Sequence, residues 1–141
     1  MNKYVGMMIV GSCLFLNACV SSASSSENPL QQPPDETVTV LFSDSSTLQN
    51  ESSYYDALLE VQRIYSSDSA DTPFFMIVDA SERDLIRYFN IEQFPTMLVL
   101  TGDTENLRME GTFSKDEILA HLIQIYQLQG DVSYSFHSSF S

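Results

Sequence analysis

The chain has little cysteine and little positive charge, and both shortages limit what it can do. Its two cysteines, Cys13 and Cys19, lie near the amino terminus, so the rest of the chain has no thiol for redox chemistry or a disulfide. Lys and Arg number 6 against 19 Asp and Glu, and the formal net charge is −13. Because nucleic acid repels an acidic surface, we expect no nucleic-acid binding. The acidic exterior favours solubility; a cationic partner or a saline or alkaline environment is the alternative.

The chain also lacks an apolar run long enough to span a bilayer, which takes roughly 20 residues. The apolar stretch at 4–16 follows Lys3 and precedes the small residue Ala18. A basic residue, an apolar core and a small residue before the cut are typical of a signal peptide. A Ser-rich polar stretch follows, which argues against a stop-transfer anchor.

The run Leu16-Asn17-Ala18-Cys19 resembles the lipobox of bacterial lipoprotein precursors. The resemblance implies that 1–18 is a lipoprotein signal peptide and that Cys19 is acylated and becomes residue one. The anchor would be durable, because two or more acyl chains hold a protein stably. It also implies an extracytoplasmic location, on the outer membrane of a Gram-negative host or the plasma membrane of a Gram-positive one. An ordinary secretory signal with a coincidental cysteine is the alternative.

Removal of the signal peptide takes away Lys3 alone among the charged side chains and brings the net charge to −14. The segment 19–36 is rich in Ser, ends in a Pro pair and has few apolar side chains, so we expect a disordered linker. Residues 37–130 have the length and pattern of one domain. The tail, 131–141, alternates aromatic residues with Ser; we expect it to be flexible, with an edge strand or a docking segment as alternatives.

The 37–130 domain alternates between strand and helix patterns. Apolar and β-branched runs predict four strands, at 37–42, 74–78, 96–100 and 107–112. The run at 74–78 suits a strand buried on both faces. Three helices are predicted, at 50–65, 81–89 and 114–130, with caps at Asn50, Ser81 and Ser114 and a stop at Gly130. Their order predicts an α/β fold, β-α-β-α-β-β-α, with parallel crossovers followed by a hairpin.

Two helices carry a clear apolar face. In the first it comprises Ala57, Leu58, Val61, Ile64 and Tyr65, and in the last Ile118, Leu119, Leu122, Ile125 and Tyr126. Ser114 and Glu117, three residues apart, form the pattern of a capping box.

The segment from 75–79 through 91–100 resembles the second half of thioredoxin. It contains a strand that ends in Asp79, a short helix, and the Pro95-Thr96 pair that opens the next strand. Gly111 also matches a glycine of that family. The resemblance implies a three-layer sandwich with a mixed four-stranded sheet flanked by helices. It covers most of the domain, which lacks the initial strand and helix of the family.

The resemblance also implies that the Phe94-Pro95 bond is cis and that the loop Phe94-Pro95-Thr96 faces the site where thioredoxins carry their dithiol. Two interpretations stay open. The loop offers its backbone to an extended peptide as a strand-pairing surface, or Pro95 merely preserves the fold.

The other half of that site departs from the family. Its Cys-x-x-Cys motif aligns with Thr47-Leu48-Gln49-Asn50, and the family's buried acid aligns with Leu41. Thiol–disulfide exchange needs an attacking thiolate and a resolving partner, and the domain has neither. We therefore expect a redox-inactive domain that is not an enzyme and holds no cofactor.

Other chemistry has weak support near this segment. Asp44, Ser45 and Ser46 precede Thr47, and the acids Glu51 and Asp56 lie nearby. A serine nucleophile needs a base within reach, and neither His121, expected on the surface of the last helix, nor His137, in the tail, supplies one. Neither a metal-ligand spacing nor a calcium loop is present. We expect Asp44 and Ser45 to form a turn and Asn50 and Glu51 to cap a helix.

Two functions follow from these patterns. The first is a membrane-anchored, monomeric binding domain that holds a protein or peptide of the cell envelope. The alternative is an accessory factor in an envelope thiol, metal or cofactor pathway, with the cysteines supplied by a partner. An enzyme with unrelated chemistry near Thr47 is a third alternative.

Overall fold

The structure, a computed structural model, describes the backbone of residues 28–66 and 72–137, with side chains as far as residue 127. The predicted signal peptide, Cys19 and the first part of the linker lie outside these residues, as do 138–141. Within the described residues, no helix has both the length and the apolarity needed to cross a membrane.

The predicted order of strands and helices is confirmed, with one extra turn of 3-10 helix at Leu48–Asn50. The strands are β1 (Thr37–Ser43), β2 (Phe74–Asp79), β3 (Thr96–Thr101) and β4 (Thr104–Glu110). The helices are α1 (Ser52–Tyr65), α2 (Arg83–Tyr88) and α3 (Lys115–His137).

The four strands form one mixed sheet in the order β2-β1-β3-β4. β1 pairs with β2 in parallel, and β1–β3 and β3–β4 are antiparallel. The central strands β1 and β3 are buried on both faces, whereas β2 and β4 form the two edges. β4 begins three residues before its predicted start, at the turn that follows Gly102.

Helices cover both faces of this sheet, as the three-layer expectation requires. α1 and α3 pack on one face around a core that includes Leu41, Val99 and Ile118. α2 covers part of the other face, where Phe42 and Leu98 are buried. The predicted faces of α1 and α3 belong to the first core, apart from Ile64, which is 43% exposed.

The prediction that the 74–78 strand is buried on both faces is wrong. β2 is an edge strand, and Phe74 and Ile77 are 52% and 55% exposed. The apolar run has no second neighbour, because no strand precedes β1 within the described residues and β1 is the only strand that pairs with β2 there. A continuous apolar run gave no indication that one side of the strand would be open.

Two of the three predicted caps are wrong. Asn50 lies in the 3-10 turn and Glu51 takes the N-cap position of α1, without a side-chain bond to the helix amides. Glu82, not Ser81, is the N-cap residue of α2. The capping box at α3 is confirmed: the Ser114 N–H and hydroxyl donate to Glu117 at 2.9 and 2.8 Å, and the Glu117 N–H donates to Ser114 Oγ at 3.3 Å.

The second half of the predicted linker packs on the domain, contrary to the expectation of disorder. Leu30, one of its few apolar side chains, contacts the core beneath α2. Gln32 Nε2 donates to the carbonyl of Gly102 at 3.2 Å, and Asn28 Nδ2 to the same carbonyl at 3.3 Å. Gly102 has a φ of +55°, and an added Cβ would lie 2.6 Å from the carbonyl oxygen of Pro34. The domain therefore extends to Asn28 at least.

The last helix is longer than predicted. α3 continues through Gly130 to His137, so Gly130 does not stop it and residues 131–137 are neither an edge strand nor an irregular tail. Gly in a helix interior costs only about 1 kcal/mol relative to Ala, a penalty that the neighbouring turns can offset.

Candidate functional site

The residues predicted to form the site meet at one end of the sheet. β1 ends at Ser43, and the segment 44–51 leads from it into α1. The Phe94-Pro95 loop leads into β3, and continuing the β1–β3 register by one residue sets Pro95 across from Ser43. The two halves of the predicted site are therefore neighbours.

The centre of this site is Glu51, a completely buried carboxyl group. Its Oε1 accepts from the Asp44 N–H at 3.0 Å and from the Thr47 hydroxyl at 3.3 Å. Its Oε2 accepts from the Ser43 hydroxyl, which lies 2.9 Å from the hydroxyl of Tyr55. Because the Ser43 proton is directed at Glu51, Tyr55 is the donor to Ser43. The buried carboxyl thus fastens the end of β1, the following turn and α1 together.

A second set of bonds connects α1 to the Pro95 loop through Gly111. The Tyr54 hydroxyl donates to the Gly111 carbonyl at 2.6 Å, and the Gly111 N–H donates to the Pro95 carbonyl at 2.8 Å. Gly111 has a φ of +87°, a conformation that favours glycine. Burial, and next the nearby Glu51 charge, raise the pKa of Tyr54 to about 12, so its hydroxyl stays a donor at neutral pH.

The Phe94-Pro95 bond is cis, as predicted. Pro95 and Thr96 are buried, and the Thr96 hydroxyl donates to the Gln93 carbonyl at 2.8 Å. Within 28–66 and 72–137, the N–H and carbonyl of Phe94 have no hydrogen-bond partner. These groups are the ones in the loop that a second chain could pair with.

The segment 47–50, which aligns with the Cys-x-x-Cys motif, presents most of its side chains to solvent. Leu48, Gln49 and Asn50 are exposed, and Leu48 keeps 48% of its surface. Ser45 and Ser46 are exposed in the turn before it, where Asp44 accepts from the Ser46 hydroxyl at 2.6 Å and from its N–H at 2.8 Å. The Asp44 turn is as predicted.

Two carboxylates stand beside the site without forming a metal centre. The Ser46 hydroxyl, and next its N–H, lower the pKa of Asp44, while nearby Asp79 opposes this. The Ser81 side chain and N–H lower the pKa of Asp79. In the described part of the chain, no group of three or more His, Cys, Asp or Glu side chains could hold a metal ion.

Three hydroxyls of the site donate to carboxylates: those of Ser43 and Thr47 to Glu51, and that of Ser46 to Asp44. Ser43 is 4% exposed and its hydroxyl donates a hydrogen bond to Glu51, so it cannot reach a substrate. His121 is exposed on α3, as predicted, and Asp56 is exposed on α1 outside the Glu51 network. The geometry therefore favours a rigid support beneath an exposed surface.

Glu51 takes the N-cap position of α1, in keeping with the predicted capping role, but the sequence did not predict that its side chain is buried. Leu41, the position aligned with the family's buried acid, is a buried apolar residue, and Glu51 is the acidic side chain buried among the described residues. A signal was available, since Glu51, Tyr54 and Leu58 follow the i, i+3, i+7 spacing of one helical face. A charged residue on the extension of an apolar face can be buried when donors surround it.

Comparisons of the structure identify a thioredoxin-like fold. Thioredoxin-2 of the malaria parasite, described as a component of its protein secretion machinery, superposes with a TM-score of 0.52 and 18% identity over 63% of this chain and 82% of that chain. Thioredoxin O2 of Arabidopsis thaliana gives 0.54 and 16% identity over 65% and 76%. Deadhead of Drosophila melanogaster gives 0.53 and 13% identity over 64% and 81%. At these identities the likeness is one of fold.

Neither a protein-family model nor a curated protein sequence matches the chain. The thioredoxin-like architecture, α/β with a mixed four-stranded sheet and helices on both faces, thus rests on the structure alone.

Proposed function

We propose that the chain is a membrane-anchored extracytoplasmic lipoprotein whose thioredoxin-like domain binds a protein or an extended peptide and has no thiol–disulfide exchange activity. The observation that carries this proposal is the buried Glu51 network beneath the segment that aligns with the Cys-x-x-Cys motif of thioredoxins. No residue from Asp44 to Asn50 is a cysteine, and the structure beneath them is fixed by hydrogen bonds.

The surface above Glu51 supports binding. Leu48 and Gln49 project from a turn that Glu51 holds in place, and the Phe94 backbone is available beside them. An extended peptide could pair with Phe94 and place an apolar side chain against Leu48. Because both halves are fixed before binding, little conformational entropy would be lost.

Charge limits the partner. The chain carries 19 acidic residues against 6 basic ones, and Asp44 stands at the rim of the surface. A neutral or cationic peptide would therefore associate more readily than an acidic one.

Site-specific photo-crosslinking in cells that export the full chain tests the proposal. A photoreactive amino acid is placed at Gln49 or at Gln93, both exposed at the site, and at Asp103 as an exposed control in the β3–β4 turn. We expect one partner to be captured from Gln49 and Gln93 and not from Asp103.

Capture from Phe136 but from neither site position would contradict the proposal, because the binding surface would then be the carboxy-terminal segment. A captured partner with a reactive cysteine pair would favour the accessory function in thiol chemistry over simple binding.

The anchor needs a separate test. Metabolic labelling with palmitate should mark the chain, and Cys19→Ala should abolish both the label and partitioning into a detergent phase. Unchanged partitioning of the variant would refute lipidation and leave an ordinary secretory signal.

A further inference from the structure

The outer side of β2 presents unpaired backbone groups. The Ala80 N–H donates to the Ser43 carbonyl of β1 at 2.9 Å. Since successive residues of a strand direct their N–H and C=O groups to opposite sides, Met76 and Val78 also face β1. Phe75 and Ile77 therefore direct their N–H and C=O groups away from the sheet, where no strand of the described residues lies.

A groove runs along this edge between β2 and α1. It encloses about 460 Å³. Leu59 of α1 and Phe74 and Ile77 of β2 are 64%, 52% and 55% exposed at it. None of its lining side chains is charged: Tyr55, Leu58, Leu59, Gln62, Thr72, Pro73, Phe74, Phe75 and Ile77. Exposed apolar surface next to an unpaired strand is the usual mark of an interaction site.

We propose that this edge is a self-association surface, through which two copies of the chain pair β2 with β2 in antiparallel orientation. The pairing would join two four-stranded sheets into one of eight strands, related by a two-fold axis.

Charge favours a second copy as the occupant. Each chain carries a net charge of −13, so two copies repel each other over most of their surfaces. The β2 groove is uncharged, and there two like-charged molecules can come into contact without opposing carboxylates. A cationic peptide, by contrast, would find no carboxylate in the lining to pair with.

The geometry of the strand also fits a copy of itself. In an antiparallel pair centred on Met76, the Phe75 of each copy lies opposite the Ile77 of the other copy. All four outward N–H groups and carbonyls of these two residues on each strand are then paired. The next register, centred on Ile77, would set the Asp79 carboxylate against the Phe75 ring and is disfavoured.

This proposal departs from the expectation of a monomer. The structure has β2 at the edge of the sheet, where the sequence predicted a strand buried on both faces.

The experiment uses the full chain with Cys13→Ser and Cys19→Ser, so that lipid and native thiols play no part. Sedimentation velocity between about 1 and 100 µM should detect a monomer–dimer equilibrium, because small interfaces are typical of weak association. Ile77→Lys should weaken the dimer tenfold or more. Thr104→Lys, at an exposed position of the other edge strand, is the matched control: it changes net charge equally and should leave the dimer intact.

Leu59→Lys, across the groove on α1, is a second test in case the Ile77 variant does not fold. It should also weaken the dimer. Met76→Cys tests the register, since two copies of residue 76 would lie about 4.5 Å apart, within reach of a disulfide. We expect rapid oxidation to a covalent dimer for Met76→Cys and slow oxidation for Phe75→Cys, whose copies would lie beyond the roughly 7 Å limit.

A chain that stays monomeric at 100 µM would overturn the proposal, as would equal weakening by Ile77→Lys and Thr104→Lys. A monomer whose Phe75 and Ile77 amides are protected from hydrogen exchange would also overturn it, because another segment of the same chain would then occupy the edge. Faster oxidation of Phe75→Cys than of Met76→Cys would refute the register.

Discussion

The two edge strands of the sheet, β4 and β2, differ in their charge and in the regularity of their pairing. The β4 edge carries Arg108, whose guanidinium donates to both oxygens of Glu105 at 2.9 and 2.8 Å, to Glu110 at 3.1 Å and to the Phe89 carbonyl at 2.8 Å. The register of β4 also shifts between Val99 and Leu100 of its neighbour. The β2 edge has neither an irregularity nor a charge between Phe74 and Val78.

Charges and irregularities are what keep edge strands from pairing with other chains. The β4 edge has both, and the hydrogen bonds with Glu105 further raise the pKa of Arg108, so its charge persists at any working pH. An open, uncharged edge is therefore a property of β2 and not a general feature of this small sheet.

The largest expected effect separates the interior of the sheet from its β2 edge. Leu98→Ala, at a completely buried position of β3, should lower the free energy of unfolding by about 2–5 kcal/mol. Ile77→Ala, a matched aliphatic truncation at a position that is 55% exposed, should cost less than about 1 kcal/mol. Urea denaturation at one low protein concentration measures both. Equal losses would mean that β2 is covered in solution.

The second effect is a pH dependence of stability that arises where α3 covers β1, away from both edges of the sheet. Burial raises the pKa of Tyr126 to about 12, although its 2.6 Å hydrogen bond with Thr39 opposes this shift. The Tyr126 hydroxyl loses its proton near pH 10 in the unfolded chain and near pH 12 in the folded chain. Its contribution to the free energy of unfolding is therefore fully present below pH 10 and is lost as the pH rises toward 12.

Tyr126→Phe should reduce that alkaline loss by about 2 kcal/mol at pH 12, since a pKa difference of one unit is worth about 1.4 kcal/mol. Urea denaturation at pH 8, 10, 11 and 12 measures it. Some loss should persist because Tyr54 has a similarly raised pKa. An unchanged pH dependence in the variant would contradict the assignment.

A smaller effect tests the protection of the β4 edge. Arg108→Ala should lower stability by about 1–2 kcal/mol, because the partly buried guanidinium is held by two carboxylates and a carbonyl. Arg87→Ala is the control: its pair with Asp84 spans 3.9 Å between well-exposed side chains and should contribute nothing measurable. Thermal denaturation compares the two. Loss of equal size would show that the Arg108 bonds do not stabilise this edge.

Local patterns predicted the order of the elements, the capping box at Ser114 and the cis bond before Pro95, because each depends on neighbouring residues or on a family motif. The position of β2 depends on which strands are present beside it, and the apolar run 74–78 is compatible with a central or an edge strand. The burial of Glu51 depends on donors from Ser43 and Asp44, which come close only after α1 has folded against β1. The packing of Leu30 likewise depends on a surface that forms elsewhere in the chain.

We propose that this thioredoxin-like domain binds a partner and carries out no thiol–disulfide exchange. Reduction of insulin by dithiothreitol tests it most directly, with a thioredoxin as the positive control and the Cys13→Ser, Cys19→Ser chain as the matched negative control. We expect the unsubstituted chain and the cysteine-free chain to leave the rate of insulin precipitation at the level of buffer. Acceleration by the unsubstituted chain that disappears in the cysteine-free chain would contradict it.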